Sequence, residues 1–364
     1  MSARAVIALV LAASGACGGD AASDGSVRPA PAGSPWQTLG AWQLFSDAPM
    51  QVPNARVEPF EVISPLFSDY AAKHRFLWIP EGTTIGIPDD ATAPWDLPVG
   101  AIVVKTFGYP RDMRDSSLGE KLVETRLLVR EPEGWVPHTY VWDDAQATAT
   151  LRVAGASVPV SWIDLAGATR SGIFFVPNTN ECQDCHGIMP ATRLLGVKTA
   201  QLDRDGLSGG GDGQLARLDA HGLLARLPAD GHVRFAAPDE AGADLTLRAR
   251  SYLDANCAHC HSVLGDAASK ALYLDFANTD PASDPDANWG ACKIPTSAGG
   301  ATCGDTYDVV PGDPEDSIMI CRMNSTEGKD QMPPLGRGMV HAEGVALIRE
   351  WIANMPGPGA ARTP

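Results

Sequence analysis

From Trp36 to Val176 the chain is written in short β-rich runs broken by Pro and Gly, the pattern of strands and turns. The pattern predicts strands over 75–80, 101–107, 122–130, 135–142, 148–153, 158–163 and 173–176. Glu131-Pro132-Glu133-Gly134 supplies a turn between two of them, an antiparallel hairpin. No helix-period segment of crossover length intervenes, which excludes parallel βαβ units. The expectation is an antiparallel β-sandwich or partly closed barrel over 36–176. Trp135, Tyr140 and Trp142 are expected in its core. Asp69, His74, Glu124, His138 and Asp143 are scattered polar residues with no catalytic grouping.

Beyond residue 176 the period lengthens. A helical run is expected over 214–227, stopped by Pro228, with Leu215, Leu218 and Leu223 facing a core. Asp244 can cap a helix over 245–256, and Asp313-Pro314 can open another that carries Ile318, Ile320 and Met323 inward. In a last helix over 341–355, Val345, Ile348, Ile352 and Met355 share one face. The first and last of these C-terminal helices should cross. The intervening stretch 264–311, rich in Asp, Gly, Pro and Ala, reads as a surface excursion.

At the N-terminus, a single Arg4, an apolar run from Ala5 to Ala13 and small residues up to Cys17 outline an export signal too short to span a bilayer. Ser14-Gly15-Ala16-Cys17 resembles a lipobox, which would lipidate Cys17; an ordinary cleaved signal is the alternative. Residues 18–35 are small, polar and Pro-rich and read as a disordered tether. The resulting organisation is multidomain: 1–17 signal, 18–35 tether, 36–176 β-rich domain, 177–240 first motif-bearing unit and 241–357 second, mainly α unit. The net charge of −16 over 364 residues excludes nucleic acid and anionic lipid as partners. It favours a partner with a basic docking face.

The chemistry lies in two C-x-x-C-H sequences, Cys182-Gln183-Asp184-Cys185-His186 and Cys257-Ala258-His259-Cys260-His261. On a helical turn, residues i, i+3 and i+4 share a face, so two thiols can bond to the vinyl groups of a haem while the next imidazole reaches its iron. A structural zinc site also uses C-x-x-C pairs but needs no His directly after each. Two covalently attached haem c groups are therefore expected, on Cys182, Cys185, Cys257 and Cys260, with His186 and His261 as iron ligands. Such attachment belongs outside the cytoplasm, which adds to the expectation of an exported, periplasmic protein, lipid-anchored to the outer membrane.

For the second iron the expected opposite ligand is Met332, on a loop stiffened by Pro333 and Pro334; Met319, Met323, Met339 and His341 are the alternatives. A thioether opposite a His raises the potential. For the first iron the field stays open between His138, His221, His232 and a five-coordinate iron. Met189 is discounted, because the three residues from His186 span at most about 11 Å. Cys292 and Cys303 flank a ten-residue loop and are expected as a disulfide, leaving Cys321 a buried thiol; pairing of Cys292 with Cys321 is the alternative.

The stretches ISPLFSDYAAKHRFLWIP (63–80), PVGAIVVKTFGYP (98–110), ETRLLVREPEGWVPHTYVWDDAQATATL (124–151), VPNTNECQDCH (176–186), RARSYLDANCAHCH (248–261) and MPPLGRGMVHAEGVALIREWI (332–352) resemble a family of exported bacterial dihaem c-type cytochromes. The resemblance covers nearly all of the chain past the signal. It implies a β-rich N-terminal region, a cytochrome c-like C-terminal domain and haem binding at Cys182, Cys185, His186, Cys257, Cys260 and His261, and it implies no substrate. Cys303 and Cys321 depart from the family pattern. The leading functional expectation is electron transfer between an exported dehydrogenase or membrane donor and an acceptor. Two alternatives stand beside it: a peroxidase-like oxidoreductase with a five-coordinate first haem, and a haem-based sensor or binding module. The 75-residue offset from Cys182 to Cys257 is short for the peroxidase class.

Overall fold

The computed structural model describes residues 26–187, 192–207, 212–280, 289–296 and 302–356. Among these described residues ten strands run in chain order: β1 Phe45–Asp47, β2 Val52–Pro53, β3 Val57–Pro59, β4 Ala72–Trp78, β5 Ile102–Pro110, β6 Glu120–Glu131, β7 Gly134–Trp142, β8 Ala149–Leu151, β9 Ala156–Ile163 and β10 Thr169–Val176. Strands β3 to β8 form one six-stranded antiparallel sheet in sequence order. The Glu131 to Gly134 hairpin forms as expected, with those two residues paired across the turn. Strands β1 with β2 and β9 with β10 make separate hairpins, and the sheet does not close into a barrel.

Both faces of the sheet are covered, which is why its strands carry apolar residues at odd and even positions alike. One face packs Phe76, Ile102, Val104, Leu127, Tyr140 and Trp142 under Leu39, Trp42 and Leu44. The other face is split. At one end Leu77, Leu128 and Trp135 join a core with Leu194, Leu215, Leu218 and Leu223, so the segment after the first motif shares the sheet's core. At the other end Phe107 and Tyr109 pack against Trp162, Phe174 and Val176 of the β9–β10 hairpin. Between these two clusters one rung pairs Arg75 with Lys105 and Lys105 with Arg126.

Among the described residues six α-helices follow: α1 Thr179–His186, α2 Thr199–Leu202, α3 Gln214–Ala220, α4 Leu245–Asn256, α5 Ile318–Met323 and α6 Ala342–Ala353. Helices amount to 20% of the structure and strands to 25%; the expected mainly α region is a set of short helices joined by long irregular segments. Helix α3 ends earlier than expected, because Gly222 takes φ +70° and the next residues pair with the β-domain through Ile85 N to Leu223 O and Ala225 N to Ile85 O. Helices α4 and α6 do pack, with Ala249, Tyr252 and Leu253 against Val345, Ile348 and Ile352. Gly344 lies so close to the Tyr252 ring that no side chain would fit there. The stretch expected as a surface excursion instead contributes Leu274, Trp289 and Val309 to this core.

The described part of the expected tether, residues 26–35, is ordered. Arg28 N donates to Trp42 O and Trp36 Nε1 to Arg28 O, while Val27 and Ala30 pack on the sheet core; its few apolar groups find a surface that composition alone does not reveal. The signal, Cys17 and Met189 lie outside the described residues. The disulfide joins Cys303 to Cys321, not Cys292 to Cys303 or Cys321. Cys292 is held by its N–H to Val309 O at φ +51°, which leaves its thiol exposed.

Candidate functional site

The first C-x-x-C-H forms helix α1. Asn178 caps it, its side chain accepting from the Asn180 and Glu181 N–H groups while Glu181 accepts from the Asn178 N–H, a closed capping box. That cap sets the helix directly against the end of β10, and Thr179 N donates to Val153 O. Cys182, Cys185 and His186 line a cavity of about 860 Å³ whose opposite wall is the split sheet face. The Nδ1–H of His186 donates to Arg193 O at 2.9 Å, and burial pushes the imidazole down to about 4, so the ring is neutral near pH 7. A metal-binding His is commonly oriented in this way, with one ring nitrogen tied to a carbonyl and the other free.

The second motif leaves the C-terminus of α4, which Asp244 caps through the Leu247 N–H. Cys260 N and His261 N both donate back to Cys257 O, a turn that places Cys257, Cys260 and His261 on a second cavity of about 480 Å³. His261 Nδ1 lies 3.3 Å from Leu272 O, and burial again lowers the ring to about 4. Across this cavity stand Met319 and Met323 of α5 and the loop bearing Met332. Arg337, 8% exposed, braces that loop by donating to the carbonyls of Met332, Met323, Ser325 and Met339.

The two motifs touch. Cys185 Sγ, Cys260 Sγ and a ring nitrogen of His259 lie within 4.8 Å of one another. Arg193 Nη2 donates to Cys185 O at 3.4 Å and to His259 O at 3.0 Å, clamping one turn to the other, and His259 lines both cavities. With free thiols, the hydrogen bond from Cys260 and the nearby His259 push Cys185 down to about 4, while Cys260 moves up as the donor. A four-cysteine zinc site is not assembled: Cys182 and Cys257 stay outside the cluster, whereas structural zinc takes four ligands.

The other sequence candidates are placed as follows. Met332 and His341 line the second cavity, but His341 Nδ1 bonds the Tyr252 hydroxyl and its ring stacks on Phe67 at 4.2 Å. Met339 packs instead with the β9–β10 core. None of the three histidines considered for the first iron lines the first cavity. His138 faces the other side of the sheet, 6.0 Å from the Trp42 ring; His221 pairs with Glu58; His232 is bonded at both ring nitrogens, to Ala229 O and Asp203. Each sits on an element whose side-chain direction depends on register or on long-range packing.

Sequence reasoning took Asp69 only as a scattered polar residue and missed Arg193, Arg337 and the cations of the sheet rung. A signal existed for the last group: Lys105 and Arg126 interrupt otherwise apolar strand runs, VVKTF and TRLL. No known protein family, curated protein or solved structure matches the chain.

Proposed function

We propose that the chain is an exported dihaem c-type cytochrome that passes single electrons in the bacterial cell envelope. The observation that carries this reading is the contact between the two C-x-x-C-H turns, each with its own cavity and its own carbonyl-tethered histidine. Cys182 and Cys185 would hold one haem and Cys257 and Cys260 the other, each as two thioethers, with His186 as the residue that would bind the first iron and His261 and Met332 as those that would bind the second. When bound, each haem supplies a one-electron ferric/ferrous couple. The chain's own part is to orient His186 and His261 through Arg193 O and Leu272 O, to keep both rings neutral by burial, and to hold Cys185 beside Cys260 so that charge crosses a short gap. Apolar walls from Val345, Met319 and Met323 on one side and Val103 and Leu128 on the other suit porphyrin faces.

The packing of α4 on α6 with α5 beside them supports reading 241–357 as a cytochrome c-like unit. An acidic protein of net charge −16 suits a redox partner with a basic docking face. The signal-like N-terminus supports a periplasmic location with a lipid anchor at Cys17; among the described residues no helix is long and apolar enough to cross a membrane. The decisive experiment is purification from a host that matures c-type cytochromes. The mass should exceed that of the polypeptide by two haems and the pyridine haemochrome should count two; a colourless protein of unshifted mass overturns the reading.

A second reading, an oxidoreductase whose first haem is open on one side, is favoured by the absence of His138, His221, His232 and any described Met from the first cavity wall. A high-spin component in the ferric spectrum would select it, and two fully low-spin irons would discard it.

A further inference from the structure

The first cavity is nearly twice the volume of the second, although each would take a porphyrin of the same size, and its sheet wall is charged. Arg75, Lys105 and Arg126 stand side by side on one rung and all line the cavity. Burying cations without counter-charge is costly. Arg126 is paired with the fully buried Glu124, yet its Nε has no hydrogen-bond partner. Lys105 Nζ has neither a hydrogen bond nor an ion pair among the described residues; its neighbour is the Phe107 ring at 5.1 Å, which Lys73 and Arg126 also approach.

The carboxylates that line the same cavity are engaged elsewhere. Asp254 pairs with Lys198, Glu181 accepts the Asn178 N–H, Asp275 binds Asn278 and Asp90 binds Thr92. Haem propionates are not the natural partners either, because they leave the ring at the edge opposite the thioethers. Helix α1, which bears Cys182 and Cys185, packs against β7, the neighbour of the strand that bears Arg126, and Lys105 and Arg126 line the cavity together with both cysteines, which sets this part of the rung on the thioether side.

Resting on the dihaem reading, we propose that Lys105 and Arg126, with Arg75 beside them, form a binding site for a small oxyanion such as nitrite or formate on the sheet wall of the first cavity. The guanidinium fork suits two oxygens of one anion and the ammonium adds a point charge. No described methionine and no imidazole other than His186 and His259 lines that cavity to compete for the space.

The test is a titration of the ferric holoprotein with sodium nitrite, followed in the Soret band after haem content has been counted. A saturable change is expected, weakened tenfold or more by Lys105→Gln and restored by Lys105→Arg, with two haems retained in each variant. Lys105 is the residue to change because Arg126→Gln would strand Glu124. No saturable change in the wild type, or equal affinity in Lys105→Gln, overturns the site. So does a wild type that is wholly low-spin and becomes high-spin in Lys105→Gln, since the amine itself would then bind the iron. Fewer than two covalent haems would sink the dihaem reading instead. The site would then be judged by whether nitrite raises the unfolding midpoint of the wild type more than that of Lys105→Gln.

Discussion

The buried carboxylate of Asp69 accepts the backbone N–H groups of Gly338, at 2.8 and 2.9 Å, and of Met339, at 2.8 Å. Asp69 sits in the left-handed region at φ +51° in the segment before β4, and Gly338 follows Arg337 on the loop that bears Met332. The β-domain thus holds the Met332 loop from one end while Arg337 braces it from within. Removing the acceptor takes a charged partner away from two backbone donors held in part-buried hydrogen bonds. Asp69→Ala should lower the unfolding free energy by about 1–3 kcal/mol, read from the denaturant midpoint, and should broaden or weaken any sulfur-to-iron absorption of the second haem.

Met332→Ala should abolish that sulfur-to-iron band while leaving two covalent haems, because His261 and both cysteines are untouched. Persistence of the band in the variant would move the assignment to Met319 or Met323, which line the same cavity.

Among the described residues, Arg193 is the one side chain that bonds carbonyls of both C-x-x-C-H turns. Two porphyrins held close should give a bisignate Soret circular dichroism signal. Arg193→Ala should reduce that signal at unchanged haem content; an undiminished couplet would show that the clamp does not set the approach of the two cofactors.

Thiol chemistry separates the cysteines into three classes. In the unreduced, denatured holoprotein an alkylating reagent should modify Cys292, which is exposed and free, and spare Cys303 and Cys321, which are joined. Reduction should add those two. Labelling of Cys182, Cys185, Cys257 or Cys260 in either sample would contradict thioether attachment.

Burial pushes the His138 imidazole from its ordinary 6.5 down to about 4. Between those values the unfolded chain binds a proton that the folded chain refuses, so this contribution to stability is complete above 6.5 and is lost as the pH falls towards 4. His138→Gln should flatten the pH dependence of the thermal midpoint across that window relative to the wild type. Parallel curves would show that other groups govern the acid limb.

The strands were legible because a β-rich run bounded by Pro and Gly is a local feature: Ala101 to Phe107 and Trp135 to Trp142 match β5 and β7 almost as expected, and the Asp244 cap starts α4 as expected. The helix expected over 214–227 stops at Ala220 because its second half answers to Ile85, a partner well over a hundred residues away. The disulfide was misassigned for a similar reason. The short loop between Cys292 and Cys303 is visible in sequence, whereas the pairing of Cys292 with the Val309 backbone that turns its thiol outward is not.

By itself the sequence determined what two helical turns can carry, since i, i+3 and i+4 share a face wherever such a turn forms. It equally determined that the sheet is antiparallel and that a β-rich region leads directly into α1. Tertiary structure alone decided that Cys185 meets Cys260, that Arg193 ties the two turns, that Asp69 grips Gly338, and that Arg75, Lys105 and Arg126 form one row. Those contacts are set by strand register and by packing between distant segments, and no short-range period in the chain encodes them.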